Sequence, residues 1–118
     1  MAIESRRIAT NGIELKIAEQ GEGPLVLLLH GFPESWYSWR HQFEPIANAG
    51  FKCVAPDMRG YGDSDAPGDI AAYNQIEVVN DIAGLIPALG YKTAIVIGHD
   101  WGAPTAWSCA KDHPELFT

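Results

Sequence analysis

The sequence predicts an α/β fold, with a hairpin followed by parallel strands and with helices on both faces of the sheet. Three observations lead there. Leu25-Val26-Leu27-Leu28-Leu29 is apolar at every position, the mark of a strand buried on both sides rather than wet on one. Two further short strand-like runs, Lys52–Pro56 and Ala94–Gly98, follow it. Between and after these runs lie stretches with the three-to-four spacing of helices, so the order is strand, helix, strand, helix, strand, helix. That alternation supplies the crossovers that parallel pairing requires.

Taken in order, residues 8–19 read as two strands joined at Asn11-Gly12, a dipeptide that tolerates the positive φ of a tight turn. Gly21 to Pro24 breaks the pattern before the apolar run, and His30-Gly31-Phe32-Pro33 ends that run in a loop. Residues 35–49 are broadly helical, with Trp36, Trp39, Phe43, Ile46 and Ala47 in register, though Pro45 calls for a break or a late start. After Lys52–Pro56 comes a loop rich in Gly, Asp and Pro that extends to about Tyr73. Asn74 and Glu77 form a capping pair at the start of a helix running to about Leu89, with Gly90 as its stop. Ala94–Gly98 is a strand and residues 103–112 a helix. Residues 113–118 have the character of a loop leading into another strand, which would leave Ala94–Gly98 with an unpaired edge. The expectation is therefore a truncated domain, residues 1–118 forming the N-terminal part of a larger core.

Composition narrows the class. A chain of 118 residues, 47% of them hydrophobic, holds one domain with a real core. Eight basic against fifteen acidic residues give a formal charge of −7, so the footprint of a nucleic-acid binder is missing. The start of the chain lacks the apolar segment of a signal peptide, and the longest apolar run is Leu25 to Leu29; no membrane span is expected, and a cytoplasmic location is the default. Cys53 and Cys109 each lie in an apolar element and read as small buried hydrophobes rather than a disulfide or metal pair. No metal-ligand spacing or phosphate loop is present, so neither metal nor cofactor is expected. Oligomeric state has no sequence signal.

The chemistry is concentrated in Gly98-His99-Asp100-Trp101-Gly102, directly after a buried strand and directly before a helix. This is the layout of a sharp strand-to-helix turn that lifts its middle side chain above the sheet, with serine there in the common G-x-S-x-G version. Here the middle residue is Asp100. A carboxylate in that seat is suited to attack on an electrophilic alkyl carbon rather than to acyl transfer. The N–H of Trp101 and that of Phe32, in the loop after the preceding strand, are candidate oxyanion donors; Pro33 has no N–H to offer. Helix capping is the plain alternative role for Asp100.

The chain resembles the α/β-hydrolase-fold enzymes, and more narrowly the soluble epoxide hydrolases, along nearly its whole length. The carriers are the string from His30-Gly31-Phe32-Pro33-Glu34 to Arg40, the string Asp57-Met58-Arg59-Gly60-Tyr61-Gly62-Asp63-Ser64, and Gly98 to Ala103. The resemblance implies an incomplete α/β-hydrolase core, Asp100 as nucleophile, Phe32 and Trp101 as oxyanion-hole donors, and Phe32, Pro33 and Trp101 lining the pocket. It further implies an epoxide substrate opened to an alkyl-enzyme ester, which water then hydrolyses to a vicinal diol. The cap tyrosines, triad acid and base histidine of the family match no residue of this chain. His30 is expected to be structural, His99 to point away from the site, and His41 and His113 to be exposed.

Two other functions compete. Haloalkane dehalogenases also place a tryptophan after an elbow aspartate, but related enzymes tend to have a polar residue where Phe32 stands. The second is a non-catalytic hydrolase-fold fragment, since the base is missing. Gly60-Tyr61-Gly62 lacks the third glycine and the helix of a dinucleotide loop. Asp57, Asp63, Asp65 and Asp69 read as solvated turn acids, Arg59 as a loop tie to Asp57 or a carbonyl, and Trp36 and Trp39 mainly as core.

Overall fold

The computed structural model describes residues 3–31, 34–68 and 73–117. Phe32, Pro33 and Asp69, named above, lie outside the described residues. The elements are β1 (Glu4–Thr10), β2 (Ile13–Gln20), β3 (Leu25–Leu29), a 3₁₀ turn (Trp36–Trp39), α1 (Phe43–Asn48), β4 (Lys52–Pro56), α2 (Gln75–Ala88), β5 (Ala94–Gly98) and α3 (Gly102–Asp112). The strands form one sheet in the order β1-β2-β4-β3-β5. β3 runs parallel to both β4 and β5, while the hairpin joins antiparallel through β2 and β4.

Burial on both faces of β3 is visible residue by residue. Leu25, Leu27 and Leu29 pack with Leu15, Ile17 and Val54 under α2 and α3. Val26 and Leu28 point the other way, into a smaller cluster with Ala18, Phe43 and Ala55 that Trp36 and Trp39 flank. A continuous apolar run is thus the sequence form of a strand with helices on both sides.

Several boundaries differ from the sequence reading. The hairpin begins at Glu4 rather than at residue 8; its turn falls at Asn11-Gly12, with φ of 50° and 80°. Residues 35–49 split in two, a 3₁₀ turn that Ser35 caps through Oγ, which accepts from the Tyr37 N–H at 3.4 Å, and then α1. α1 then starts late enough for Pro45 to fall in its first turn, where its missing N–H does little harm. The Asn74 side chain accepts from the Glu77 N–H at 2.9 Å, as the capping pair requires.

Two loop residues carry more structure than their sequence showed. Asp57 is buried, not solvated: its carboxylate accepts from the N–H of Trp36 at 2.8 Å and of Asp63 at 3.0 Å. Its carbonyl also accepts from the Ser64 hydroxyl. Arg59 does tie its loop, with bonds to Asp81 of α2, Nε–Oδ2 and Nη2–Oδ1 both 2.8 Å. Asp65, by contrast, sits at the surface and pairs with Arg7.

Cys53 and Cys109 are free and buried, and burial pushes both thiols up to about 12. Neither is expected to react with a thiol-specific disulfide reagent in the native protein at pH 8, and both should react after denaturation. Rapid native labelling of either would contradict this placement. No helix among the described residues is long and apolar enough to cross a membrane. On its outer side β5 meets one isolated parallel bridge, Ala94 with Phe117, and otherwise no strand among the described residues.

Candidate active site

The register of β3 against β5 pairs Leu29 with Gly98, so the loops after both strands emerge side by side. His30-Gly31 and His99-Asp100-Trp101 become neighbours for that reason. The turn is tight: His99 N–H donates to Leu29 O at 3.1 Å, Gly102 N–H to His99 O at 2.9 Å and Ala103 N–H to Asp100 O at 3.0 Å. The Trp101 amide has no hydrogen bond among the described residues.

Such a turn is possible because its two flanking glycines lack side chains. A Cβ on Gly98 would run into the backbone of Gly102 and stand 2.8 Å from Ala103 N. A Cβ on Gly102 would strike Leu29 O and stand 2.7 Å from His30 O. Strand end and helix start therefore touch backbone to backbone.

Asp100 has φ of 56°, in the left-handed region that non-glycine residues rarely enter. Local strain of this kind gathers at functional sites. The Asp100 side chain does not cap α3: the N-cap is Trp101, without a side-chain cap bond. Among the described residues the carboxylate has no hydrogen bond, and the residue is exposed. It stands against the neighbouring loop, since a Cβ on Gly31 would be 2.6 Å from Asp100 Cβ and 2.8 Å from its Oδ2. An unbonded carboxylate on a strained turn has a lone pair to present to a ligand.

The facing loop is locked from inside. Glu34 N–H donates to Gly31 O at 2.9 Å, while Glu34 Oε1 accepts from Gly31 N–H at 3.0 Å. The Gly31 amide is thereby taken up and is no oxyanion donor. Glu34 was present in the sequence string but had no assigned role; only the closed turn reveals it. His99 is exposed, with Nδ1 3.7 Å from Glu34 Oε1.

His30 is structural, as expected. Its Nε2 accepts from Met58 N–H at 2.9 Å, which requires the proton on Nδ1, and Nδ1 then donates to Gly31 O at 2.9 Å. Tyr61 packs edge-on against the ring at 4.9 Å. Burial holds the imidazole below its ordinary value, with partial opposition from the Gly31 bond, Asp57 and Glu34. The unfolded chain then binds this proton more readily, so stability is whole above about pH 6.5 and falls as pH drops toward the folded value. Within that window the slope cannot exceed the one-proton limit of about 1.4 kcal/mol per pH unit. Denaturant melts from pH 7.5 to 4.5 should show this loss, and His30→Asn should flatten it; an unchanged slope would remove His30 as the cause. His41 is exposed, but His113 is only partly so, with Nδ1 3.7 Å from Glu115. Among the described residues no imidazole nitrogen bonds to the Asp100 carboxylate.

Comparison with known proteins agrees with this architecture. The chain is 51% identical over 110 residues to an epoxide hydrolase of Caballeronia sordidicola, a match covering 93% of this chain and 33% of that protein. A crystal structure of an epoxide hydrolase from Vigna radiata superposes with a TM-score of 0.95 at 49% identity, over 98% of this chain and 38% of that one. Epoxide hydrolase A of Mycobacterium thermoresistibile gives 0.96 at 45% identity, over 98% and 37%. The chain spans about a third of the length of the curated relatives named first. A family model for the alpha/beta hydrolase fold matches residues 24–118, and the chain belongs to that family.

Proposed function

We propose that Asp100 is the nucleophile of an epoxide hydrolase, and that residues 1–118 form the N-terminal part of its core domain. One observation carries this: a carboxylate with no capping role, at positive φ on a strand-to-helix turn, standing against Gly31. An Asp100 oxygen attacks a ring carbon, the carbon–oxygen bond of the strained ring breaks, and the ring oxygen takes a proton from solvent or an acid. The product is a hydroxyalkyl ester. Hydroxide then adds to the ester carbonyl, the amide hydrogens of Phe32 and Trp101 receive the developing oxyanion, and collapse releases the vicinal diol. Phe32, Pro33 and Trp101 line the pocket, the only reactants are the epoxide and water, and the protein works in the cytoplasm.

The second stage needs a base. With no imidazole on the Asp100 carboxylate among the described residues, the 118-residue chain is expected to stop at the ester. Intact mass measured after separate exposure to styrene oxide and 1-bromobutane tests the assignment. One equivalent added from the epoxide and none from the bromide is the expected result. Alkylation by the bromide with release of halide, and none by the epoxide, would move the assignment to a dehalogenase. Sustained diol formation by the purified chain would refute the arrest.

A further inference from the structure

We propose that Asn11-Gly12 is a self-modification site, where loss of the Asn11 amide as ammonia turns the tie between the β1–β2 turn and α2 into a repulsion. The reaction consumes only water. The Gly12 backbone nitrogen attacks Asn11 Cγ, the Cγ–Nδ2 bond breaks, and ammonia leaves with the proton that Gly12 gives up. Water then opens the cyclic imide at either carbonyl, giving aspartate or, with one extra carbon in the main chain, isoaspartate.

The surroundings favour this pair over every other asparagine of the chain. Both residues are exposed, and a Cβ placed on Gly12 would meet nothing within 4 Å, so no group crowds the approach. Glycine itself has no side chain to obstruct it. Among the described residues the Gly12 amide has no hydrogen bond, which leaves its nitrogen available. The other three asparagines, Asn48, Asn74 and Asn80, do not precede glycine. The nitrogen after Asn48 is bonded to Pro45 O at 3.1 Å, and the one after Asn80 lies within α2. Asn74 Oδ1 is held at the start of α2 by the Glu77 N–H.

The consequence follows from what the amide holds. Asn11 Nδ2 donates to Asp81 Oδ1 at 3.0 Å and to Glu77 O at 3.3 Å. These bonds keep the side chain on α2, so conversion starts from molecules whose turn has lifted away. Afterwards a carboxylate oxygen stands where the donor stood and faces two acceptors, one of them the buried Asp81 carboxylate. Like charges repel strongly where water is scarce, so the turn no longer docks. Isoaspartate also lengthens a two-residue turn flanked by the Thr10–Ile13 pair, which upsets the hairpin register. Asp81 is the partner of Arg59 as well, so the damage reaches the loop after β4. Departure of ammonia makes the change one-way.

The test ages the 118-residue chain in mildly alkaline buffer and maps its peptides for aspartate and isoaspartate. Position 11 is expected to convert at least about tenfold faster than positions 48, 74 and 80. A rate within twofold of any of them would overturn the site. Urea melts test the consequence. Asn11→Asp copies the product, while Asn11→Gly removes the bonds without adding charge, and both replacements enter the left-handed region. The urea midpoint is expected to fall from wild type to Asn11→Gly and further to Asn11→Asp. The aspartate-bearing fraction of the aged protein, separated on an anion exchanger, should melt with Asn11→Asp. Asn11→Asp as stable as Asn11→Gly would overturn the repulsion.

Discussion

Asp81→Ala is expected to lower the unfolding free energy by about 3–5 kcal/mol, the cost of stranding one member of a buried ion pair. Asp81 and Arg59 are 1% and 5% exposed, and their two parallel bonds have the fork geometry that fits a guanidinium to a carboxylate. The carboxylate also accepts from Asn11 Nδ2 at 3.0 Å, and the Asp81 carbonyl accepts from Thr10 Oγ1 at 2.8 Å. One residue of α2 thus fastens the hairpin turn and the loop after β4. Glu77, 3.9 Å from Arg59 and partly exposed, is too distant to take over both bonds. Domains of this size hold only about 5–15 kcal/mol in all, so a substantial share of the margin would go. Urea denaturation followed by circular dichroism measures the change, and a loss under 1 kcal/mol would contradict it. Replacing both partners, as in Arg59→Met with Asp81→Leu, should recover much of the loss, because no buried charge is then left alone. The surface pair of Arg7 with Asp65 is a control: Asp65→Ser, which removes that pair and the bond from the Glu14 N–H, should cost far less than Asp81→Ala.

How much of this could be read in advance depends on how far apart the interacting residues lie. The unbroken run Leu25–Leu29, the Asn74 cap with Glu77 and the Gly98-to-Gly102 turn are local signals; each is written within a few consecutive residues, and each is found in the structure. Asp57 and Arg59 are different. An aspartate among glycines looks like a turn acid, and nothing nearby tells that Trp36 will present its amide to it from the start of the 3₁₀ turn. Arg59 and Asp81 belong to separate elements that meet only when α2 packs on the sheet. Glu34 was visible in the sequence, yet its reciprocal bonds to Gly31 depend on the loop closing back on itself. The division of residues 35–49 was half legible: Pro45 forecast a break, but the i→i+3 bonds of Ser38 N–H to Ser35 O and Arg40 N–H to Tyr37 O, which make the first part a 3₁₀ turn, left no mark in the spacing of apolar residues. Proximity of Asp100 to Gly31 needed the parallel register of β3 with β5, which apolar runs imply without fixing.

Asp100→Asn is expected to abolish covalent addition of styrene oxide while leaving the fold intact. Asparagine is the informative replacement because of the backbone. Asp100 sits at φ of 56°, and asparagine is among the few residues that enter this region readily, as Asn11 does at 50° in the same chain. Alanine there would mix a conformational penalty with the loss of the carboxylate. The amide is nearly the same shape but lacks the negative charge that attacks the ring carbon, so the addition rate should fall on the order of 10⁴-fold or more. Peptide mapping of the wild-type adduct should place the added mass on the segment containing Asp100 and on no other carboxylate-bearing segment. The competing carboxylates differ in circumstance: Asp57 accepts two backbone N–H bonds, Asp81 is buried against Arg59, and Glu34 is held by Gly31. An adduct that persists in Asp100→Asn, or that maps to Glu34, would show that standing free on a strained turn is not what makes a carboxylate reactive here.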